Sequence, residues 1–365
     1  MGIRTGAQFI EGLRDEREVW YAGEKVPDVT TFPAFRASVE SIAHLYDMQH
    51  DPRYADTLVA QSTELGEPVG RAFEFARTLR QLELKREAYA IWARANCGML
   101  GRSPDFMNVM LASLAAKRSF FMEGGEARAN AVCDYYEHVA RGDLFLTHAL
   151  LDPQLDKGKL RHEQSDPGIC LRVTDQNTEG VVMNGIKRIA TAAPYADEIL
   201  VWPFPPTFQP GEEDYANVFA IPMSTPGLKT ICRPSFLRSG DARDFPLSSR
   251  FDEMDATIVF EDVFVPWDRV FVFKDIALLN RMYRESRMRE LTAHQTNARL
   301  EVKLGFVYAL AVRLAESQGL ASKPDSMEAL GEAAVRVEII RSTTRSAEQQ
   351  ASQDPDNGLV YPDLS

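Results

Sequence analysis

The chain runs to 365 residues, more than one hydrophobic core usually organises, which predicts two or three domains. With 45% apolar and 26% charged residues it has globular proportions, which excludes intrinsic disorder and fibrous repeats. Its 53 acidic residues against 41 Lys plus Arg give a formal charge of -12 with no run of four consecutive basic residues, a sign that excludes nucleic-acid and anionic-membrane surfaces.

Up to about residue 145 the sequence predicts helices. From Phe35 to Tyr46, the apolar Val39, Ile42, Ala43 and Tyr46 share one helical face. Arg71 to Met99, rich in Ala, Leu, Glu and Arg, predicts a long helix. Phe106 to Phe121 is apolar on most sides, like a helix buried between others. Glu126 to Asp143 gives a further helix after the turn Glu123-Gly124-Gly125. No strand is predicted this early. The period then changes. β-prone runs at 169–173, 180–185, 198–202, 217–222, 228–232 and 256–260 alternate with turn residues, which predicts an antiparallel sandwich or barrel. From Asp275 the helical period returns. Arg299 to Ser317 carries Leu300, Leu304, Val307, Leu310, Ala311 and Leu314 on one face, and Asp325 to Gln350 forms a charged helix. The remainder, to Ser365, reads as loop. The order helices, strands, helices predicts an α+β fold with domains at 1–145, 146–274 and 275–365.

No GxGxxG follows a strand, and neither GxxxxGK, HExxH, GxSxG nor a pair of CxxC motifs occurs. His44 and His50 flank Asp47, but six residues rotate a helix by about 600°, onto different faces, so no metal site is expected. No apolar run is long enough to span a bilayer. Met1 to Arg17 is charged throughout, unlike a signal peptide, and Gly6 stands where a myristoylation motif wants a hydroxyl. Cys97, Cys133, Cys170 and Cys232 lie far apart, which predicts reduced thiols and a cytoplasmic protein.

Several segments in fixed order carry a resemblance. Thr5-Gly6, Phe9-Ile10-Glu11-Gly12-Leu13-Arg14-Asp15, Val19-Trp20-Tyr21-Ala22-Gly23-Glu24 and Val29-Thr30 come first. Gly101-Arg102-Ser103-Pro104-Asp105-Phe106 follows a helical run, and Thr147-His148-Ala149-Leu150-Leu151-Asp152-Pro153-Gln154-Leu155-Asp156-Lys157 comes next. Then come Asn184-Gly185-Ile186-Lys187-Arg188-Ile189-Ala190-Thr191-Ala192-Ala193-Pro194-Tyr195-Ala196-Asp197-Glu198, Phe260-Glu261-Asp262-Val263-Phe264-Val265-Pro266 and Arg269-Val270-Phe271. From residue 5 to about 350, the chain resembles the oxygenase component of the two-component 4-hydroxyphenylacetate 3-monooxygenase family, which includes chlorophenol and carrier-tethered tyrosine hydroxylases.

The resemblance implies an acyl-CoA dehydrogenase-like fold: a helical N-terminal domain, a central β barrel and a C-terminal helical bundle that builds tetramers or dimers. It implies FAD, bound non-covalently as FADH₂ between β domain and helices, in keeping with the missing Rossmann motif. A separate NAD(P)H:flavin reductase supplies the FADH₂, and a flavin C4a-hydroperoxide formed with O₂ hydroxylates a phenol ortho to its hydroxyl. Family members run beyond 365 residues, so the chain is expected to break off inside the C-terminal bundle.

By resemblance, Arg102 and His148 are catalytic and contact the phenolic oxygen, with Ser103, Phe106, Pro203 and Phe204 beside the substrate. His148, Ala149, Leu150, Gln154, Leu155, Asp156, Lys157 and Thr191 take the flavin, Lys157 replacing the family's arginine. The reaction suits these types: a neutral histidine accepts a proton, an arginine stabilises phenolate, and a closed site excludes water. From the residues alone, Arg102 reads more readily as a turn residue and His148 as a satisfied core histidine, while Thr191 reads equally as a strand hydroxyl bonded to backbone. Phe106 stands where the 4-hydroxyphenylacetate hydroxylase has tyrosine, which puts a chlorinated or otherwise apolar phenol, or a carrier-tethered one, on at least an equal footing with 4-hydroxyphenylacetate. Leu100 and Gly101 follow Cys97 where an iron–sulfur relative would place a second cysteine, so no cluster is expected. An acyl-CoA dehydrogenase-type flavoprotein and an inactive structural subunit remain as alternatives.

Overall fold

Thr5 opens the first helix, α1 (Gly6–Gly12), by a capping box: its hydroxyl accepts from Gln8 N–H, and the Gln8 side chain accepts from Thr5 N–H at 2.7 Å. The computed structural model describes residues 2–153, 156–205, 207–237 and 242–364. Strands β1 (Glu18–Tyr21) and β2 (Glu24–Lys25) precede α2 (Arg36–Met48), and α3 (Ala55–Leu58) leads into β3 (Val59–Gln61) and β4 (Pro68–Gly70). The early part is thus not purely helical as predicted; strands of two to four residues are too short to show alternation.

Then come α4 (Leu79–Ala95), α5 (Pro104–Ala116), α6 (Arg118–Phe121) and α7 (Glu126–Gly142). The helix predicted from Arg71 starts only at Leu79, where Thr78 caps it with a second capping box. Arg71 instead folds into a single 3₁₀ turn and donates to the carbonyls of Asp56, Thr57 and Val59. The helix predicted to reach Phe121 breaks at Lys117 (φ -103°, ψ 42°).

The central strands are β5 (Leu146–Ala149), β6 (Arg172–Gln176), β7 (Gly180–Thr191), β8 (Glu198–Val201), β9 (Asn217–Pro222), β10 (Leu228–Cys232), β11 (Asp255–Pro266) and β12 (Val270–Phe273). They form a six-stranded sheet ordered β2-β1-β10-β11-β7-β6 and a four-stranded sheet ordered β12-β9-β8-β5. The predicted barrel is corrected on this point: among the described residues each sheet keeps two edges, so the strands form two sheets and not a closed barrel. Nor is the pairing wholly antiparallel. β1 runs parallel to β10, and β5 parallel to β8. Phe9 and Tyr46 of the early helices share one buried cluster with Ile199 and Ile258 of the two sheets.

Helices α8 (Ile276–Glu285), α9 (Met288–Ser317) and α10 (Pro324–Gln349) follow, with α9 packed along α4 and α5. The stretch expected as loop pairs β13 (Ser352–Gln353) with β14 (Val360–Tyr361), and Val360 N–H donates to Ala76 O at 2.8 Å. Among the described residues no helix is long and apolar enough to cross a membrane, and no group of three or more His, Cys, Asp or Glu is arranged to hold a metal.

Candidate active site

The turn joining α4 to α5 carries Arg102. Asn96 closes α4: its side-chain amide donates to Trp92 O at 2.9 Å, and its side-chain oxygen accepts from Leu100 N–H. Cys97 and Gly98 then take left-handed φ values of 56° and 71°, which reverse the chain. Ser103 at the N-cap and Pro104 in the first turn restart it as α5.

Arg102 Nε donates to His148 Nε2 at 2.9 Å, and the guanidinium carbon lies 4.2 Å from the centre of the Phe106 ring. The Phe106 and His148 rings are 6.1 Å apart. His148 is buried on β5, and because Nε2 accepts, its proton belongs on Nδ1, a buried atom with no partner. Burial first, and the Arg102 charge second, push the ring's pKa down to about 3, so it is neutral but a weaker base than an ordinary histidine.

Thr147, beside His148, donates to Thr191 O at 2.6 Å, and the Thr191 hydroxyl donates to Asp255 Oδ1 at 2.7 Å. β5, β7 and β11 are thereby tied together behind the site. A cavity of about 420 Å³ opens on Arg102 and Thr191, walled by Met99, Arg233, Leu247, Phe251 and Glu253 among others. That volume suits a small molecule or cofactor ring, which takes roughly 300–1,000 Å³.

Arg102, Phe106, His148 and Thr191 therefore come together, Arg102 and Thr191 on the cavity wall, Phe106 and His148 against Arg102 but outside that wall. Ser103 is turned away, its buried hydroxyl donating to Asp105 Oδ1 at 2.5 Å, with Gln295 of α9 on the same oxygen. Ala149 is fully buried, and Leu150 O accepts from Phe204 N–H at 3.1 Å. Pro203 is buried, while Phe204 packs with Trp202 and Tyr283 at ring distances of 6.4 and 5.3 Å; neither Pro203 nor Phe204 lines the cavity. Asp156 and Lys157 sit on an exposed turn, also outside the cavity wall. Gln154 and Leu155 lie outside the described residues.

Sequence reasoning missed Arg233, Asp252, Glu253 and Asp255. Arg233 donates to Asp252 at 2.7 Å and lies 3.3 Å from Asp255, while Glu253 accepts from Arg102 N–H. The acids of Phe251-Asp252-Glu253-Met254-Asp255, crowded against a β-prone run, were the available signal.

A family model described as 4-hydroxyphenylacetate 3-hydroxylase N terminal matches residues 5–272, and its C-terminal counterpart matches residues 279–365. The chain belongs to the 4-hydroxyphenylacetate 3-hydroxylase family. Among the relatives, the 4-hydroxyphenylacetate 3-monooxygenase oxygenase component of Thermus thermophilus is 39% identical, over 99% of this chain and 73% of that protein. The 4-nitrophenol 2-monooxygenase oxygenase component of a Rhodococcus species is 36% identical over 87% of this chain and 60% of its own. A crystal structure of an oxygenase component of 4-hydroxyphenylacetate 3-monooxygenase with FAD and 4-hydroxyphenylacetate superposes with TM-score 0.93 at 38% identity, covering 99% of this chain and 74% of that one. A 4-hydroxybutyryl-CoA dehydratase of N. maritimus, 23% identical with TM-score 0.86 over 99% of this chain and 71% of its own, shares the fold. The hydroxylase family's flavin fits the residues present. The cavity is flanked by the Thr191 strand, and the buried Nδ1–H of His148 is a donor still lacking an acceptor.

Proposed function

We propose that this chain is the oxygenase component of a two-component system, a phenol hydroxylase that uses FADH₂ and places one atom of O₂ ortho to the ring hydroxyl. The observation that carries this reading is the Arg102–His148 pair packed on Phe106 beside the Thr191 cavity. Reduced flavin, when bound, would supply the two electrons that activate O₂, one atom of which is transferred to the ring and the other released as water. Thr191 and the His148 strand would hold its ring, and a separate NAD(P)H:flavin reductase would deliver it.

Arg102 binds the phenolic oxygen. A guanidinium has five N–H donors; here Nε is on His148 and Nη1 on Gly101 O at 3.2 Å, which leaves donors for the substrate. Its fixed charge lowers the phenol's own pKa and raises electron density at the ortho carbon. When the phenol takes the arginine fork, His148 Nε2 is the acceptor placed for its proton. Phe106, only 8% exposed, helps keep water from the reacting carbon and offers the ring no hydrogen bond. That apolar wall favours a phenol without a polar para substituent over 4-hydroxyphenylacetate.

Exposed Val307, Leu310 and Leu314 on α9 and Met327, Val335 and Ile339 on α10 support a homo-oligomer, dimer or tetramer, assembled through these helices. The free cysteines fit a cytoplasmic setting. The test is a panel of phenols turned over with FAD, NADH and a borrowed flavin reductase under ¹⁸O₂. A catechol-type product carrying one heavy oxygen is expected. Oxygen consumption that yields only hydrogen peroxide across the panel would sink the reading.

A further inference from the structure

The turn that presents Arg102 is held by two opposite charges. Glu253, in the segment entering β11, aims its carboxylate at backbone amides: Oε1 accepts from Arg102 N–H, and Gly101 N–H is bonded to the same carboxylate. Gly101 makes the room, because a Cβ there would lie only 3.2 Å from Glu253 Oε2. Arg299 of α9 donates through Nη1 to Gly98 O at 3.1 Å, and its guanidinium carbon would stand 3.8 Å from that same Cβ. An anion thus satisfies the turn's amides and a cation its carbonyl, a complementary pairing of charge-assisted bonds. Burial pushes the Glu253 carboxyl above its usual range, while the two amides and the Arg102 and Arg299 charges pull it back. Glu253 bonds the backbone of Arg102, and Arg102 Nε is bonded to His148.

We propose that Glu253 and Arg299 are positioning residues for hydroxylation: together they fix the Gly98–Arg102 turn so that the Arg102 guanidinium meets the phenolic oxygen beside His148. The inference rests on the reading of Arg102 as the phenol-binding group. It gives α9 a hold on the turn that carries a group at the reacting centre. A displacement of about 1 Å at such a centre costs about 100-fold in rate, so a modest loosening of this turn is measurable.

The experiment uses the full chain with FAD, reductase and a phenol the wild type turns over, together with 4-nitrophenol binding to the flavin-free protein read by phenolate absorbance. Glu253→Gln keeps one acceptor and Glu253→Ala keeps none. The expected kcat falls about 10-fold in the first and about 100-fold in the second, with peroxide replacing catechol and flavin affinity unchanged. Arg299→Lys is expected to recover most of the rate that Arg299→Ala loses. Wild-type rate and coupling in Glu253→Ala would overturn the proposal. So would a loss of rate that tracks lost flavin affinity and lost thermal stability, because that marks a merely structural role. The parent reading fails separately, if Arg102→Ala hydroxylates at the wild-type rate. If Arg102→Ala weakens 4-nitrophenol binding and Glu253→Ala does not, only the positioning role is lost.

Discussion

Arg102 Nε and His148 Nε2 lie 2.9 Å apart, and because a guanidinium can only donate, the histidine accepts there and keeps its proton on Nδ1. Burial and the arginine charge hold the folded-state pKa near 3, against 6.5 for an ordinary histidine. Between those values the unfolded chain binds a proton that the folded chain refuses. This site therefore makes stability fall as pH drops from 6.5 toward 3, and it contributes no pH dependence above that window. The melting temperature of the wild type is expected to decline more steeply from about pH 7 to about pH 5 than that of His148→Asn. Equal slopes would mean that the ring is not held neutral.

Arg102→Lys keeps the charge and loses the fork. Lysine offers one ammonium where the arginine bonds His148 and stacks 4.2 Å above Phe106 at the same time. Hydroxylation is expected to fall about 100-fold, in the range of losing one preorganised donor to a developing anion, with the far-ultraviolet circular dichroism spectrum intact. The check is the ratio of catechol formed to NADH consumed. An unchanged ratio removes Arg102 from the phenol.

Phe106→Tyr adds a hydroxyl beside the His148 ring, 6.1 Å away centre to centre. A buried donor left without a partner is costly, and a substrate that supplies one gains. The ratio of kcat/KM for 4-hydroxyphenylacetate to that for an apolar phenol is expected to rise by about 10-fold or more. An unchanged ratio would mean that residue 106 does not touch the substrate.

Helical periodicity placed α2, α7 and α10 to within a few residues, but of α9 it placed only the end, since that helix begins at Met288 and not at Arg299. It failed at Arg71–Phe73, where a composition suited to helix lost to three carbonyls that capture the Arg71 guanidinium, a tertiary effect invisible in the local sequence. β1 was missed because it has four residues and pairs in parallel with β10, some two hundred positions away in the chain. In the site, Arg102, Phe106, His148 and Thr191 were legible only through a motif match in register; composition left each with an ordinary structural reading. Glu253 was not legible at all. Its bond is to the backbone of residue 102, which carries no side-chain signature, across a separation of 151 residues.

Gly98 joins these two scales, because its missing side chain lets α9 reach the Arg102 turn. Its φ of 71° disfavours any L side chain, and a Cβ would lie 2.6 Å from Lys303 Cβ and 2.8 Å from the Lys303 backbone. That neighbour is helix backbone, which cannot rotate aside, so Gly98→Ala must push α9 away or unwind the turn. The expected loss is about 1–3 kcal/mol in urea unfolding, together with weaker coupling of hydroxylation, because Arg299 of α9 holds the Gly98 carbonyl. Gly305, inside the same helix with nothing within 4 Å of its Cβ position, is the control. Gly305→Ala is expected to stabilise by about 0.5–1 kcal/mol and leave coupling alone, since alanine loses less backbone entropy in a helix. If the two substitutions shift stability alike, the close approach of α9 to the Arg102 turn is refuted.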